Sequence, residues 1–160
     1  MSIKMKKAIL IHGNFNKKFF DGLSTKTPET VFVLEGRPSL KSSEHACKEL
    51  LKRKIKPTLI CDNMAGFLFY KKLLTEVWLS CQTTNSQGAL CSIGGLILGV
   101  LGKRHQIPVY LLATSTTTKY IGDAKEVLQF KGMRVAPKNV KGYVPLVDWL
   151  PRKYITKKFT

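Results

Sequence analysis

At 160 residues the chain has room for one domain with a single core, because domains run to about 100–200 residues. Its 44% apolar and 23% charged residues suit a packed fold and exclude disordered, collagen-like and coiled-coil classes. The 27 Lys and Arg against 10 Asp and Glu give a formal +17, a charge that attracts polyanions without selecting among them.

Taken in chain order, short β-branched apolar runs alternate with segments of helical period. Ala8–Ile11 predicts a first strand that runs into His12-Gly13-Asn14, and Thr30–Leu34 a second that ends at Glu35-Gly36-Arg37-Pro38. Ser42 or Ser43 is placed to cap a helix reaching about Lys54, with Glu44 in its positive first turn and Cys47, Leu50 and Leu51 on one face. Thr58–Cys61 predicts a third strand ending at Asp62-Asn63. Met64–Leu74 then has helical spacing with Phe67, Tyr70 and Leu74 apolar, followed by a fourth strand at Glu76–Ser80. The polar run Gln82–Gly88 predicts a loop, and Ile93–His105 a buried helix notched by Gly94, Gly95, Gly99 and Gly102. Pro108–Leu112 is the fifth strand, ending at Ala113–Thr116, and from Gly142 onward Pro145 and Pro151 predict an irregular tail. This alternation predicts a single α/β domain over residues 1–160, a Rossmann-like three-layer fold with a mainly parallel sheet of about five to six strands.

Lysine supplies 22 of the positive charges and arginine five, and the basic residues are scattered, with pairs such as Lys6-Lys7, Lys17-Lys18, Lys71-Lys72 and Lys157-Lys158. Flexible point charges spread in this way predict a solvated basic surface more than a dedicated nucleic-acid face, which would cluster arginine with exposed aromatics. Cys47, Cys61, Cys81 and Cys91 form no CxxC and no paired His spacing, so neither a zinc site nor a redox pair is expected, and reduced thiols point to the cytoplasm. The basic start runs into only a few apolar residues and lacks a cleavage site, so it does not predict a leader. The longest apolar stretch, Ala89–Leu101, is broken by glycines and falls short of the ~20 residues of a membrane span.

Parallel strands that all leave polar residues at their carboxyl ends place His12, Asn14, Glu35, Arg37, Asp62, Asn63, Gln82 and Ser115 along one edge, where open α/β sheets hold their ligands. Asp62 either positions a ligand hydroxyl or caps the helix at Met64. His12 is either a general base or a hydrogen-bonded structural residue. Arg37, with its forked guanidinium, suits a phosphate, or else pairs with Glu35, Asp62 or Asp148. Cys81 is a nucleophile only if nearby positive charge lowers its pKa, and otherwise an inert thiol. No GxGxxG follows a strand, so no dinucleotide cofactor is expected.

Read in order, the blocks AILIHGN, VFVLEGRPSLKSSEHACKEL, TLICDNMAGFL, IPVYLLATST and YVPLVDWLPRKYIT resemble the family that joins the regulatory alpha, beta and delta subunits of initiation factor 2B to methylthioribose-1-phosphate and ribose-1,5-bisphosphate isomerases. AILIHGN resembles that family's strand ending in T-H-C-N, and Pro145, Asp148 and Pro151 fall in register with its N-P-x-F-D-x-x-P tail. The blocks cover about residues 8–118 and 143–156, which are similar to the family's carboxyl-terminal Rossmann-like domain. Its helical amino-terminal domain has no counterpart among them.

The resemblance implies a sugar-phosphate or nucleotide crevice whose ligand residues are His12, Gly13, Asn14, Glu35, Arg37, Asp62, Asn63 and Ser115. It also assigns the isomerases' cysteine to Gly13, their aspartate to Gln82 and their Asn-Lys pair to Cys91-Ser92. An aldose–ketose isomerisation needs a group that moves a proton or hydride, so the expected protein is a catalytically degenerate, dimeric binding module. Two alternatives stand beside it: an isomerase working through His12 with Cys81 or Asp62, and a non-specific nucleic-acid binder. The resemblance implies association through this domain, and the apolar and aromatic residues Trp149, Leu150, Tyr154, Ile155 and Phe159 place the expected homodimer contact at the tail or the glycine-notched helix.

Overall fold

A computed structural model describes residues 7–159; Lys6 and the rest of the basic start lie outside the described residues. The chain runs β1 (Ala8–His12), α1 (Lys17–Lys26), β2 (Thr30–Leu34), α2 (Lys41–Lys52), β3 (Pro57–Ile60), α3 (Ala65–Tyr70), β4 (Glu76–Thr84), β5 (Gly88–Ser92), α4 (Gly95–His105) and β6 (Val109–Ala113). It continues through α5 (Lys125–Leu128), β7 (Gln129–Phe130), β8 (Met133–Arg134), β9 (Val147–Pro151) and β10 (Lys157–Phe159). Parallel strands in the order β10-β6-β4-β1-β2-β3 form the central sheet of a Rossmann-like fold.

The strands are hydrophobic on both faces because each face is covered by helices, and successive side chains serve different cores. In β1, Ile9 and Ile11 point to a layer made by Phe19, Phe20 and Leu23 of α1 and Ala46 and Leu50 of α2. Leu10, between them, joins the opposite layer with Leu68 and Phe69 of α3 and Leu98 of α4. Val77 and Leu79 of β4 also face that second layer, while Trp78 faces the first.

Several expectations are corrected. α1 was not among the predicted elements; Asn16 caps it by accepting a hydrogen bond from the Phe19 amide at 3.0 Å. Neither Ser42 nor Ser43 caps α2, since the cap position is Leu40 in the left-handed region. Ser43 instead donates its hydroxyl to the carbonyls of Glu35 (2.6 Å) and Leu40 (2.9 Å), which ties the helix start to the end of β2. α3 stops at Tyr70, and it buries Ala65, Leu68 and Phe69 while Phe67 and Tyr70 face outward.

The predicted Gln82–Gly88 loop is largely strand. β4 runs to Thr84 and turns back through Asn85–Gln87, where the Asn85 side chain accepts from the amides of Gln87 and Gly88, and β5 returns antiparallel to it. The tail is not irregular either. β9 pairs antiparallel with β5, and β10 adds a parallel edge strand beside β6. Pro151 is accommodated because β9 pairs only with β5, so its missing N–H lies on an edge. Leu150 and Ile155 of the tail are buried in the chain's own core, while Trp149 stays exposed and Tyr154 and Phe159 half-buried.

α4 runs against this arm through its glycines. A Cβ at Gly99 would overlap Leu150 Cδ1, one at Gly102 would overlap Val109 Cγ2, and one at Gly95 would stand 2.7 Å from Cys91 Cβ. Among the described residues, no helix is long and apolar enough to cross a membrane.

Candidate functional site

The carboxyl ends of β1, β2, β3 and β5, the start of α4 and the segment after β6 enclose a crevice made of two adjoining chambers that share His12, Arg37 and Ile93. Each sequence-predicted residue can now be placed. β1 delivers His12 to the floor, where it is 6% exposed and its Nε2 lies 2.8 Å from the Ile93 carbonyl. The next residue, Gly13, has φ +108°, and a Cβ there would overlap Ser80 Oγ. That hydroxyl also accepts the Asn14 amide at 2.7 Å, so β1 and β4 are pinned together where a side chain would otherwise stand.

The turn after β2 is held from below by Asp62. Its Oδ1 accepts the Gly36 amide at 2.9 Å and its Oδ2 the Arg37 amide at 2.8 Å, so the carboxylate neither caps α3 nor faces a ligand freely. This fixes the backbone that presents Arg37. The Arg37 guanidinium lies 4.9 Å from the Phe130 ring centroid and reaches the Gln129 carbonyl at 3.5 Å, and among the described residues no carboxylate pairs with it. The expected ion pair with Glu35, Asp62 or Asp148 is therefore absent there, and the arginine keeps donors for a ligand.

The first chamber, about 480 Å³, is lined by His12, Asn14, the Gly36–Ser39 turn, Lys41, Ser42, Ser92, Ile93, Thr116–Lys119 and Leu146. Three cations and six hydroxyl-bearing residues stand there without a single Asp or Glu. The second, about 530 Å³, is mostly apolar, with Leu34, Ile97, Leu98 and Leu101 around His12, Arg37, Asp62, Asn63 and Asp148. Asp148 reaches it from β9. Its Oδ2 accepts the amides of Gly94 (3.1 Å) and Leu96 (3.2 Å) at the first turn of α4, which satisfies donors that a helix start leaves open. Burial raises the Asp148 pKa from the ordinary carboxylate value, against the lowering effect of those amides and of His12.

Other predicted residues play lesser parts. Glu35 contributes its backbone, since its amide donates to the Ile60 carbonyl and its carbonyl accepts from Ser43. Ser115 is exposed and outside both chambers, and the wall is made by the residues just after it. Gln82 Oε1 accepts the Thr118 amide at 2.7 Å, so it anchors that wall without entering the crevice. Cys81 is buried and donates toward the Leu112 carbonyl, and burial pushes its thiol pKa up, opposite to what a nucleophile needs. Cys91 lies opposite it across the β4–β5 ladder and is shifted up for the same reason, with Cys81 and Asp148 adding to it. Lys41, Lys119 and the threonines were not foreseen. The signal for Lys119 and the threonines was the run Thr114–Lys119, hydroxyl-rich and ending in a cation just beyond a strand.

Comparison with known proteins shows what the chain is similar to in sequence and fold. Methylthioribose-1-phosphate isomerase of Acetivibrio thermocellus is 34% identical over 142 residues, covering 81% of this chain and 42% of that protein. The 5-deoxyribose 1-phosphate isomerase of Petrotoga mobilis is 33% identical over 142 residues, with 81% and 41% covered. In the structure of the delta subunit of translation initiation factor eIF-2B from A. fulgidus, the same fold recurs with a TM-score of 0.85 at 23% identity, over 96% of this chain and 52% of that one. The 5-methylthioribose 1-phosphate isomerase of Pyrococcus horikoshii OT3 likewise gives a TM-score of 0.85 at 22% identity, over 99% and 51%. The chain thus spans about half the length of the relatives it matches. The model of the initiation factor 2 subunit family (IF-2B) matches residues 2–160, so the chain belongs to that family.

Proposed function

We propose that the protein is a catalytically degenerate binding module of its family that takes a phosphorylated sugar or nucleotide in the crevice. The observation that carries this reading is the first chamber, where Arg37, Lys41 and Lys119 converge with hydroxyl groups and no carboxylate opposes them. Such a lining matches a phosphate, whose oxygens accept from guanidinium, ammonium and hydroxyl donors alike. The degenerate half rests on the position the resemblance gives the isomerases' cysteine. It is Gly13 here, with its Cβ direction occupied by Ser80, and Gln82 stands at the aspartate position with its carbonyl tied to Thr118.

A thermal-shift series with inorganic phosphate, ribose 5-phosphate and adenosine monophosphate tests it. A ligand at about 100 times its Kd stabilises by about 2.7 kcal/mol, and Arg37→Ala should remove that gain. If none of the series moves the melting temperature, the binding reading fails.

Isomerase activity is the second reading, favoured by the names of the relatives. Incubation with methylthioribose 1-phosphate and with ribose 1,5-bisphosphate, followed by NMR of the products, decides between the two. Turnover that His12→Ala abolishes overturns the degenerate reading.

A further inference from the structure

On the face of the sheet that α1 and α2 cover, the cover thins beyond α1. Tyr110 and Leu112 of β6 and Phe159 of β10 stay only partly buried there. Between α1 and these strands lies a cavity of about 380 Å³ that shares no lining residue with the crevice. That volume falls within the ~300–1,000 Å³ of small-molecule sites.

Its walls are aromatic and aliphatic: Phe19, Leu23, Trp78, Leu112 and Phe159. The Trp78 ring centroid stands 5.5 Å from that of Phe19 and 5.2 Å from that of Phe159. Its Nε1–H is spent on Glu76 Oε1 at 3.0 Å, so what the indole has left for the cavity is carbon ring. Such walls suit a flat aromatic ring, which stacks on them or meets them edge to face.

Charge decides which kind of ring. Lys18 and Lys26 line the cavity, and no Asp or Glu does. Lys26 Nζ lies 5.7 Å from the Trp78 centroid, and Lys157 Nζ 4.8 Å from that of Phe159. Among the described residues, neither Lys18 nor Lys26 is paired with a carboxylate; Asp21 of α1 is engaged by Arg53 and Glu76 by Lys7. An aromatic cage without lysines would hold a cation, whereas here two ammonium groups repel one and attract an anion. Gly22 is an independent sign. It sits inside α1, where glycine weakens a helix, yet a Cβ there would meet nothing within 4 Å. No close approach requires this glycine, and its effect is to keep the α1 side of the cavity open.

We propose that this cavity binds a planar aromatic acid, with its ring against Phe19, Trp78 and Phe159 and its carboxylate beside Lys18 and Lys26. The site is independent of the phosphate reading of the crevice, and either can fail without the other.

Calorimetric titration of the full chain with 2-naphthoate, 2-naphthylmethanol and 2-naphthylmethylamine tests it. The acid should bind at least about tenfold more tightly than the amine, with the neutral alcohol between them. Lys26→Gln should weaken the acid by about threefold to fivefold and leave the alcohol within about twofold. Gly22→Leu fills the opening from a helix position that favours leucine over glycine, so it should abolish binding of the acid without lowering the melting temperature. Failure of the wild-type chain to bind naphthoate, or a preference for the amine, overturns the proposal. So does naphthoate binding that Gly22→Leu leaves unchanged, since it places the acid elsewhere on this basic chain. Should Gly22→Leu melt early, Lys26→Gln decides: an unchanged affinity for the acid overturns the proposal, and a loss selective for the acid supports it.

Discussion

Glu49 shows how one side chain couples this fold to pH. Lys52 and Arg53 donate hydrogen bonds to its carboxylate at 2.6 and 2.8 Å and hold its pKa down, from 4.5 to about 2. The folded chain therefore binds this proton less tightly than the unfolded chain does. The stabilisation is complete above pH 4.5 and disappears as pH falls toward 2. Glu49→Gln should flatten the melting temperature against pH within that window, and an unchanged slope would assign the acid sensitivity to other groups. Gly13 poses a different question. Gly13→Cys would restore the residue that the resemblance expects, yet at φ +108° and against Ser80 Oγ it should cost roughly 1–3 kcal/mol in urea unfolding. At this scale the strand-end pattern located His12, Arg37 and Asp62 beside the crevice, whereas Glu35 and Ser115, picked out by the same pattern, stand outside it. The sequence was not legible for Lys41 or Asp148, which reach the crevice from a helix start and a distant strand, because only the folded chain brings those backbones together.

Among the elements, α4 depends on being thin. Gly95, Gly99 and Gly102 let its backbone come down on β5, β9 and β6, and the side chains of Leu150 and Val109 fill the space a Cβ would need. Alanine normally favours a helix over glycine, but Gly99→Ala should destabilise by about 1–3 kcal/mol because the core is overpacked there. The check is a lower urea midpoint at constant m-value, and a rise in stability would show that Leu150 moves aside freely. The strands were readable because fully buried parallel strands appear as continuous apolar runs. α1 escaped because it is ten residues long and carries Lys17, Lys18, Asp21 and Lys26 among its few buried aromatics, so little of its period shows. The β4–β5 hairpin escaped because Gln82–Thr84 is polar in sequence, although its backbone pairs with Leu90 and Ala89.

For the whole molecule, the open matter is self-association. The tail folds onto its own sheet, burying Leu150 and Ile155 and leaving Trp149 39% exposed, which shifts the expected dimer contact toward its other expected place, the glycine-notched helix α4. The outer faces of α3 and α4, which lie side by side, instead present Phe67 (58% exposed), Tyr70 (70%) and Ile97 (64%), an apolar surface of the kind that marks interaction sites. A homodimer through this face should scatter light with about twice the 18.0 kDa mass of the chain. Phe67→Glu combined with Ile97→Glu should return it to the single-chain mass. A wild-type mass of one chain at micromolar concentration rejects the dimer.

Asp148 lies on β9 and His12 on β1, so the second chamber draws on two strands far apart in the sequence. During synthesis, β1 to β4, α1 to α3 and much of both cores emerge well before β9. A chain cut short between β6 and β9 therefore has an α4 without its carboxylate and a β5 with an unpaired edge open to other strands. Protection of the β5 edge is acquired at one step, when β9 docks.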